Sequence, residues 1–377
     1  MYHEAWKTHG SKRGAAKALG IADSTFRGRL KEEMAEAALT PEHKARLGLA
    51  PGHFDNGVAP GYLMGKVTVQ RNSDGDIERT WERQSPDDEA RQIQLEAAIA
   101  AMCATVDPVR PIDAPTHVLA KLLTLYNFFD YHVGMLAWHK EGGADWDLRI
   151  AEEVGVASMQ SLVNSSPASH TAVINIGGDF LHFDGLLPIT PTSGHVLDAD
   201  GRFSKVVDVA IRLIRQLVNL ALQKHEQVVL LVMEGNHDLT GSLWLRKLFA
   251  ALFEDEPRIS VHQNELPFYA LDWGVNLIGF HHGHMKKNDQ LPLLFAAMFR
   301  EMWGRCPKVH IHVGHRHHKE EKDHNGARVT QWPTLAAMDA HSARHGYFTD
   351  RELTALTYHR DFGQVASNSV TPEMLGS

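Results

Sequence analysis

Residues 228–238 read Val-Val-Leu-Leu-Val-Met-Glu-Gly-Asn-His-Asp. An aliphatic run this short, rich in Val and Leu, predicts a strand buried on both faces. The Gly-Asn-His-Asp behind it places polar donors at the strand's carboxyl end. Working outward, the arrangement recurs. Apolar runs over residues 122–129, 172–176, 275–280 and 309–313 lead into Asp130-Tyr131-His132, Gly178-Asp179, His282-Gly283-His284 and Gly314-His315-Arg316-His317. Helical patterns separate the runs, so an α/β sheet is expected, and in such sheets ligands gather beyond the carboxyl ends of the strands.

Composition bounds what those clusters can serve. The chain has 377 residues, 43% of them hydrophobic, enough for a large core and more than one domain. A formal net charge of −8 argues against a protein that coats nucleic acid over its whole surface, so any such contact is regional. The two cysteines, Cys103 and Cys306, are too few for a disulfide framework or a thiolate cage, and a reducing cytoplasm is the expected setting. No apolar leader opens the chain and no run is long enough to cross a bilayer, so no membrane partner is expected. Of the 25 histidines, eight crowd between His281 and His318, and neutral imidazole is the commonest metal ligand.

The amino-terminal part has a different character. Residues 1–33 carry seven Lys/Arg against four Asp/Glu, the reverse of the chain's overall sign. A helix is expected over residues 11–19, closed by Gly20, and a second from residue 24 with Asp23 or Ser24 as its cap. The spacing of Ala15, Ala16, Leu19, Ile21, Phe26 and Leu30 is similar to a helix-turn-helix, which makes Ser24, Thr25, Arg27 and Arg29 candidates for DNA contact. An ordinary helical hairpin with a solvated basic face has the same pattern. Residues 41–62 read as a connector. Strands over 66–70 and 77–81 flank Asp74-Gly75 as a hairpin. An amphipathic helix over 88–105 follows. Beyond it, helices are expected over 205–224, 240–253 and 293–303 and short strands over 326–331 and 353–359, while the tail from Gly363 carries no clear pattern.

Residues spaced i, i+2 in extended chain face the same side, so Asp130 with His132, and His315 with His317, can each grip one ion. Such a pair alone is weak evidence, because a histidine near a strand end more often belongs to a hydrogen-bonded core. Five clusters in order are another matter. The set D-x-H, G-D, G-N-H-D, H-G and G-H-x-H resembles the signature of the calcineurin-like metallophosphoesterases, over roughly residues 118–360. Phe128 and Phe129 stand where that family often has small residues.

The resemblance implies two divalent metal ions, with Asp130, His132 and His317 on the first, Asn236, His282 and His315 on the second, and Asp179 between them. The donors are all N or O atoms, which suits Mn, Fe, Zn, Co or Ni without choosing among them; Mn is the expected ion. His281 and His284 compete with His282 for its position. His237 would face substrate as an acid or charge stabiliser, with Asp238 either orienting it or capping the next helix. Lys286, Lys287 and Arg316 could meet phosphate or simply be solvated. His310 and His312, on one face of their strand, are expected to be structural or to support ligands.

The fold implied is α/β, a metallophosphoesterase-type layered β-sandwich flanked by helices, with a small all-α helix-turn-helix domain in front. The expected domains are residues 1–50 (helix-turn-helix), 51–115 (linker with hairpin and helix) and 116–377 (metallophosphoesterase). The combination is similar to bacteriophage and prophage proteins. The expected function is phosphodiester hydrolysis, with DNA as substrate and a nuclease guided by the amino-terminal helices. The alternatives are a phosphoesterase for a small nucleotide-type substrate and a DNA-binding regulator with vestigial hydrolysis.

Overall fold

The computed structural model describes residues 1–37, 62–73, 76–86, 93 and 112–376. The chain divides into two compact units, residues 1–90 and 91–377. Apart from Tyr62 and Ile93, the connector over 41–62 and the helix expected over 88–105 lie outside the described residues, as do Cys103 and the Asp74-Gly75 turn.

The first unit begins with three helices, α1 (Tyr2–His9), α2 (Lys12–Ala18) and α3 (Asp23–Ala37). Ala15, Ala16, Phe26 and Leu30 form their buried core, with Tyr2, Ala5, Trp6 and Ile21 packed against it. The Ser11 hydroxyl caps α2 by accepting the Gly14 N–H at 3.0 Å. Helix α1 was not expected; Glu33 on α3 holds its first turn by accepting the Tyr2 N–H at 2.7 Å. The cap expected at Asp23 or Ser24 is not made. Helix α3 starts one residue earlier, with the Phe26 N–H on the Ala22 carbonyl, and the Asp23 carboxylate takes the Arg27 Nε at 2.8 Å instead. Burial of Phe26 and Leu30, one turn apart, leaves Ser24, Thr25, Arg27 and Arg29 exposed. Strands β1 (Tyr62–Arg71) and β2 (Ile77–Pro86) pair antiparallel, with Thr68 opposite Trp81.

The second unit contains two sheets. In the first, β3 (Leu119–Phe128), β4 (Ser169–Gly177), β5 (Gln227–Met233) and β6 (Ile259–Val261) run parallel. In the second, β7 (Tyr269–Trp273) pairs antiparallel with β8 (Asn276–Phe280), which runs parallel to β9 (Lys308–Val313). Next come β10 (Glu320–His324) and β11 (Ala327–Gln331), the latter parallel to β9. The antiparallel pair β12 (Leu353–His359) and β13 (Gly363–Val370) completes the first sheet beside β3, giving the order β13-β12-β3-β4-β5-β6; the second runs β10-β11-β9-β8-β7.

Side-chain alternation explains the layering. Leu123, Leu125, Val173, Leu231 and Met233 share a core with Tyr269, Ile278 and Phe280 of the second sheet. Their alternate neighbours Tyr126, Phe128, Ile174, Ile176, Leu230 and Val232 pack instead with helices α4 (Leu148–Ser165), α5 (Phe203–Leu222) and α6 (Leu239–Leu252). Beyond the second sheet, Leu277, Val309 and Ile311 pack with Leu291 and Phe295 of α7 (Leu291–Met298) and with Trp303 of α8 (Arg300–Arg305). The result is helix, sheet, sheet, helix. The single helix expected over 293–303 is broken at Phe299, whose ψ of 46° leaves helical geometry. Strand β13, unforeseen in the tail, is a sheet edge whose interior is mostly exposed, so no apolar alternation marks it. Among the described residues no helix is long and apolar enough to cross a membrane.

Candidate metal centre

Five parallel strands end at one place: β3, β4 and β5 from the first sheet, β8 and β9 from the second. The loops that follow them carry all the donors named from the sequence. Among the described residues, Asp130, His132 and His317 form one group whose donor atoms lie within 4.8 Å of one another, Asp179, His282 and His315 form a second, and His132 also meets His182 and His237 in a third. The groups are adjacent, because Asp130 Oδ1 stands 3.3 Å from His317 Nε2 and 3.7 Å from His282 Nε2. Asp179 Oδ2 stands 3.1 Å from His282 Nε2.

The convergence does not come from extended backbone, as the i, i+2 spacing suggested. Asp130, His132, Asp179, His315 and His317 have φ of 52°, 51°, 50°, 73° and 56° and are the only non-glycine residues with positive φ among those described. Left-handed turns re-aim each side chain, and they split His315 and His317 between the two groups. A conformation of this kind costs on the order of 1–3 kcal/mol per residue and persists only where its surroundings enforce it. Here the enforcing bonds are explicit. The Asp130 N–H donates to the Gly178 carbonyl at 3.1 Å, the His132 N–H to the Asp179 carbonyl at 3.0 Å, and the His315 N–H to Asp130 Oδ2 at 2.7 Å.

Each carboxylate is thus half spent on its frame and half free. Asp179 Oδ1 accepts the His237 N–H at 2.7 Å, which leaves Oδ2 facing His282. A Cβ on Gly235 would lie 2.1 Å from Asp179 Oδ1, and one on Gly314 would lie 2.4 Å from Asp130 Oδ2, so both loops need glycine to close on the carboxylates. Phe129 exploits the same economy: its ring lies 2.3 Å from where a Gly177 Cβ would stand.

Of the three competing histidines, His282 is the one grouped with Asp179 and His315. Its Nδ1–H donates to the Gly177 carbonyl at 3.1 Å, which leaves Nε2 aimed at both carboxylates, where it carries a proton that a bound cation would displace. Burial alone would lower its pKa, but Asp179 and Asp130 outweigh that and push it up to about 10. His281 turns away, with Nδ1 on the Pro267 carbonyl at 3.0 Å and its ring against Phe268. His284 stands beside His282, ring centroids 5.3 Å apart, and lines the cleft.

His237 is anchored by Nδ1–H to the His182 carbonyl at 2.7 Å, and its Nε2 stands 4.0 Å from Asp179 Oδ2. Asp238 does neither of the things expected of it. Its buried carboxylate accepts the N–H groups of Gly235 (2.8 Å), Asp179 (3.1 Å), Phe180 (2.8 Å) and Leu181 (3.1 Å), tying the loop after β4 to the loop after β5. Helix α6 is capped instead by Asp184, which takes the Thr240 and Gly241 N–H groups at 2.5 and 2.6 Å.

Three residues that the sequence reading passed over stand here. His182 meets His132, Nδ1 to Nδ1 at 3.2 Å, and burial lowers its pKa to about 3, so it is neutral and can fix the orientation of His132. The signal available was its place in the Gly178-Asp179 loop. Thr334 Oγ1 bonds the Asp130 carbonyl at 2.5 Å. Arg351, held by the Leu335 carbonyl at 2.9 Å, shares the cleft wall with Arg316; Lys286 and Lys287 are exposed away from that wall. His312 is bonded on both ring nitrogens, to Tyr358 at 2.9 Å and Trp332 at 3.0 Å, and the His310 ring packs on Tyr358, which makes both structural.

The residues fit a cation. Asp130 Oδ1, Asn236 Oδ1 and His282 Nε2 are buried with no hydrogen-bond partner, a cost of several kcal/mol that a shared positive ion would offset. The donors are oxygen and imidazole nitrogen without thiolate, the set that intermediate divalent metals prefer. The arrangement therefore defines an α/β two-sheet protein with a histidine- and aspartate-rich divalent-metal centre.

No family model matches the chain, and no curated protein does. Among solved structures, a conserved uncharacterized protein from Streptococcus pneumoniae TIGR4, described as a predicted phosphoesterase, is similar at 10% identity and TM-score 0.28, covering 66% of this chain and 97% of that one. Wild-type Vps29 of Entamoeba histolytica complexed with Zn2+ is similar at 13% identity and TM-score 0.27, over 66% and 98%. Vacuolar Protein Sorting 29 from Cryptosporidium parvum is similar at 12% identity and TM-score 0.23, over 39% and 83%. These likenesses are slight, and the chemistry rests on the residues themselves.

Proposed function

We propose that this protein is a divalent-metal-dependent phosphodiesterase of the calcineurin-like kind, and that its substrate is DNA. One observation carries the hydrolytic reading: two adjacent donor groups, with partnerless inward atoms, open into the same cleft as His237. In this reading Asp130, His132 and His317 would hold one ion and Asn236, His282 and His315 the other, with Asp179 as a ligand they would share. Bound, such a pair supplies Lewis acidity and lowers the pKa of water.

The chain's own residues do the rest. Arg316 and Arg351 on the cleft wall would orient the phosphate by charge-assisted hydrogen bonds. His237, pinned at Nδ1, presents Nε2 to the cleft, where it would protonate the leaving oxygen or stabilise the charge that develops there. His182 keeps that ring in place through its carbonyl. With Mn2+ the purified protein should hydrolyse a bis-aryl phosphodiester, and chelation should abolish the activity. His237→Ala should keep its metal, assayed by atomic spectrometry, and lose roughly 100-fold in turnover. Full turnover by metal-free protein would overturn the reading.

DNA as substrate is supported by the three-helix amino-terminal unit, read as a helix-turn-helix, with Ser24, Thr25, Arg27 and Arg29 exposed on α3. The pairing of Arg27 with Asp23 is an exposed i, i+4 contact, weak enough to yield to a phosphate. Replacing Arg27 and Arg29 with alanine should weaken DNA binding and reduce the slope of log affinity against log salt by about 0.9 per lost phosphate contact. A second reading, a small phosphoester substrate, is favoured by the cleft itself. Its volume of about 890 Å³ lies within the range of small-molecule sites, roughly 300–1,000 Å³. Unchanged DNA affinity and salt slope in the double variant, with one nucleotide consumed and no DNA cut, would decide for it.

A further inference from the structure

Four aromatic rings that the proposed chemistry does not use stand in a row at the cleft. His195 comes from the loop closed by the Ile189–Val196 bridge, where its carbonyl accepts the Thr190 N–H at 2.9 Å. His341 and His345 come from helix α9 (Ala340–His345), and Tyr347 follows it. Ring centroids are 6.0 Å apart from His195 to His341, 4.2 Å from His341 to His345, and 5.8 Å from His345 to Tyr347, the last pair only 14° from parallel.

The row is built rather than incidental. Asp339 caps α9 by accepting the Ser342 N–H at 2.8 Å, and Gly346 ends it in the left-handed region at φ 73°. The i, i+4 spacing then puts His341 and His345 on one face, and the Nδ1–H of His345 is held by the His341 carbonyl at 2.8 Å. All four rings are exposed, Tyr347 by 63%. His195, His341 and Tyr347 line the same cleft as His132, His237 and His317. Among the described residues the histidine and aspartate groups close enough to share an ion all lie at the centre described above, so this row is not a second metal site.

We propose that the row is a stacking platform for a nucleobase of the substrate, so that the cleft accepts a nucleotide or a nucleic-acid strand rather than a phosphoester without a base. The proposal rests on the phosphoester reading and deepens it. Flat rings left in water at the mouth of a phosphate-binding cleft find a natural partner in a base, since every base has a π face and stacking is tolerant of sequence. His195, His341 and Tyr347 share with His237 and Arg316 a cleft of about 890 Å³, a volume in the range of small-molecule sites.

The test is calorimetric binding of two phosphomonoesters, adenosine 5′-monophosphate and ribose 5-phosphate, to the full-length, Mn2+-loaded protein. The unaltered protein should prefer the adenosine ligand by about tenfold or more, and the double variant His341→Ala, Tyr347→Ala should bring the ratio close to one. Equal affinity for the two ligands overturns the platform. So does no binding of either, a preference that survives in the double variant, or loss of ribose 5-phosphate binding in parallel with the adenosine ligand. If no phosphodiester is turned over with any divalent metal while the adenosine preference appears and then vanishes in the variant, the hydrolase reading falls and the platform stands.

Discussion

Replacing Asp179 with alanine is expected to empty the centre of metal and to lower turnover by roughly 1,000-fold, the upper end of losses for a single charge-stabilising group. Two consequences combine in that number. The substitution removes the Oδ2 that faces His282 at 3.1 Å, and it also removes the Oδ1 that accepts the His237 N–H at 2.7 Å, so both the donor set and the loop carrying His237 lose an anchor. Metal content by atomic spectrometry and turnover on a bis-aryl diester check the two together. His237→Ala, by contrast, should lose turnover and keep metal. A variant of Asp179 that retains both ions would remove this residue from the ligand set, and equal metal loss in the two variants would move His237 into it.

Asp238→Ala should be the most destabilising single change at the site. Four backbone N–H groups, from Gly235, Asp179, Phe180 and Leu181, would lose their acceptor inside a carboxylate pocket that is fully buried. Each unsatisfied buried donor costs about 1–3 kcal/mol, and even the low end sums to on the order of 4 kcal/mol. For a unit of this size that corresponds to a fall in the unfolding midpoint of roughly 7 °C, readable by calorimetry. Asp238→Asn keeps one acceptor oxygen and should recover part of the loss. A shift below about 2 °C for the alanine variant would show that the loops hold together without this carboxylate.

The five apolar runs were legible because a buried parallel strand is rich in Val, Ile and Leu, and β3, β4, β5, β8 and β9 all lie where those runs fall, although polar residues such as Asn127, Asn175, His310 and His312 interrupt three of them. The polar clusters at their ends were legible for the same reason, since chemistry needs particular atoms. Strand β13 and helix α1 were not, because an exposed edge and a half-buried surface helix owe their form to neighbours rather than to their own pattern. The break at Phe299 likewise has no marker in its sequence.

Residue types and order along the chain sufficed to mark the five clusters, because imidazole and carboxylate chemistry belongs to the side chain itself, and the family resemblance those clusters carry then named the seven candidate donors and His237. Where each donor points was another matter. The left-handed turns at Asp130, His132, Asp179 and His315 are held by hydrogen bonds from other loops, to the Gly178 and Asp179 carbonyls and to the Asp238 and Asp130 carboxylates, so the directions of these side chains are a property of the packed sheets. Asp238 shows the limit most plainly: in sequence it is a helix cap or a partner for His237, and only folding brings residues 179–181 within reach of its oxygens. Local sequence determines what a side chain can bond to, whereas contacts across more than fifty residues decide what it does bond, because those donors are assembled only by the tertiary structure.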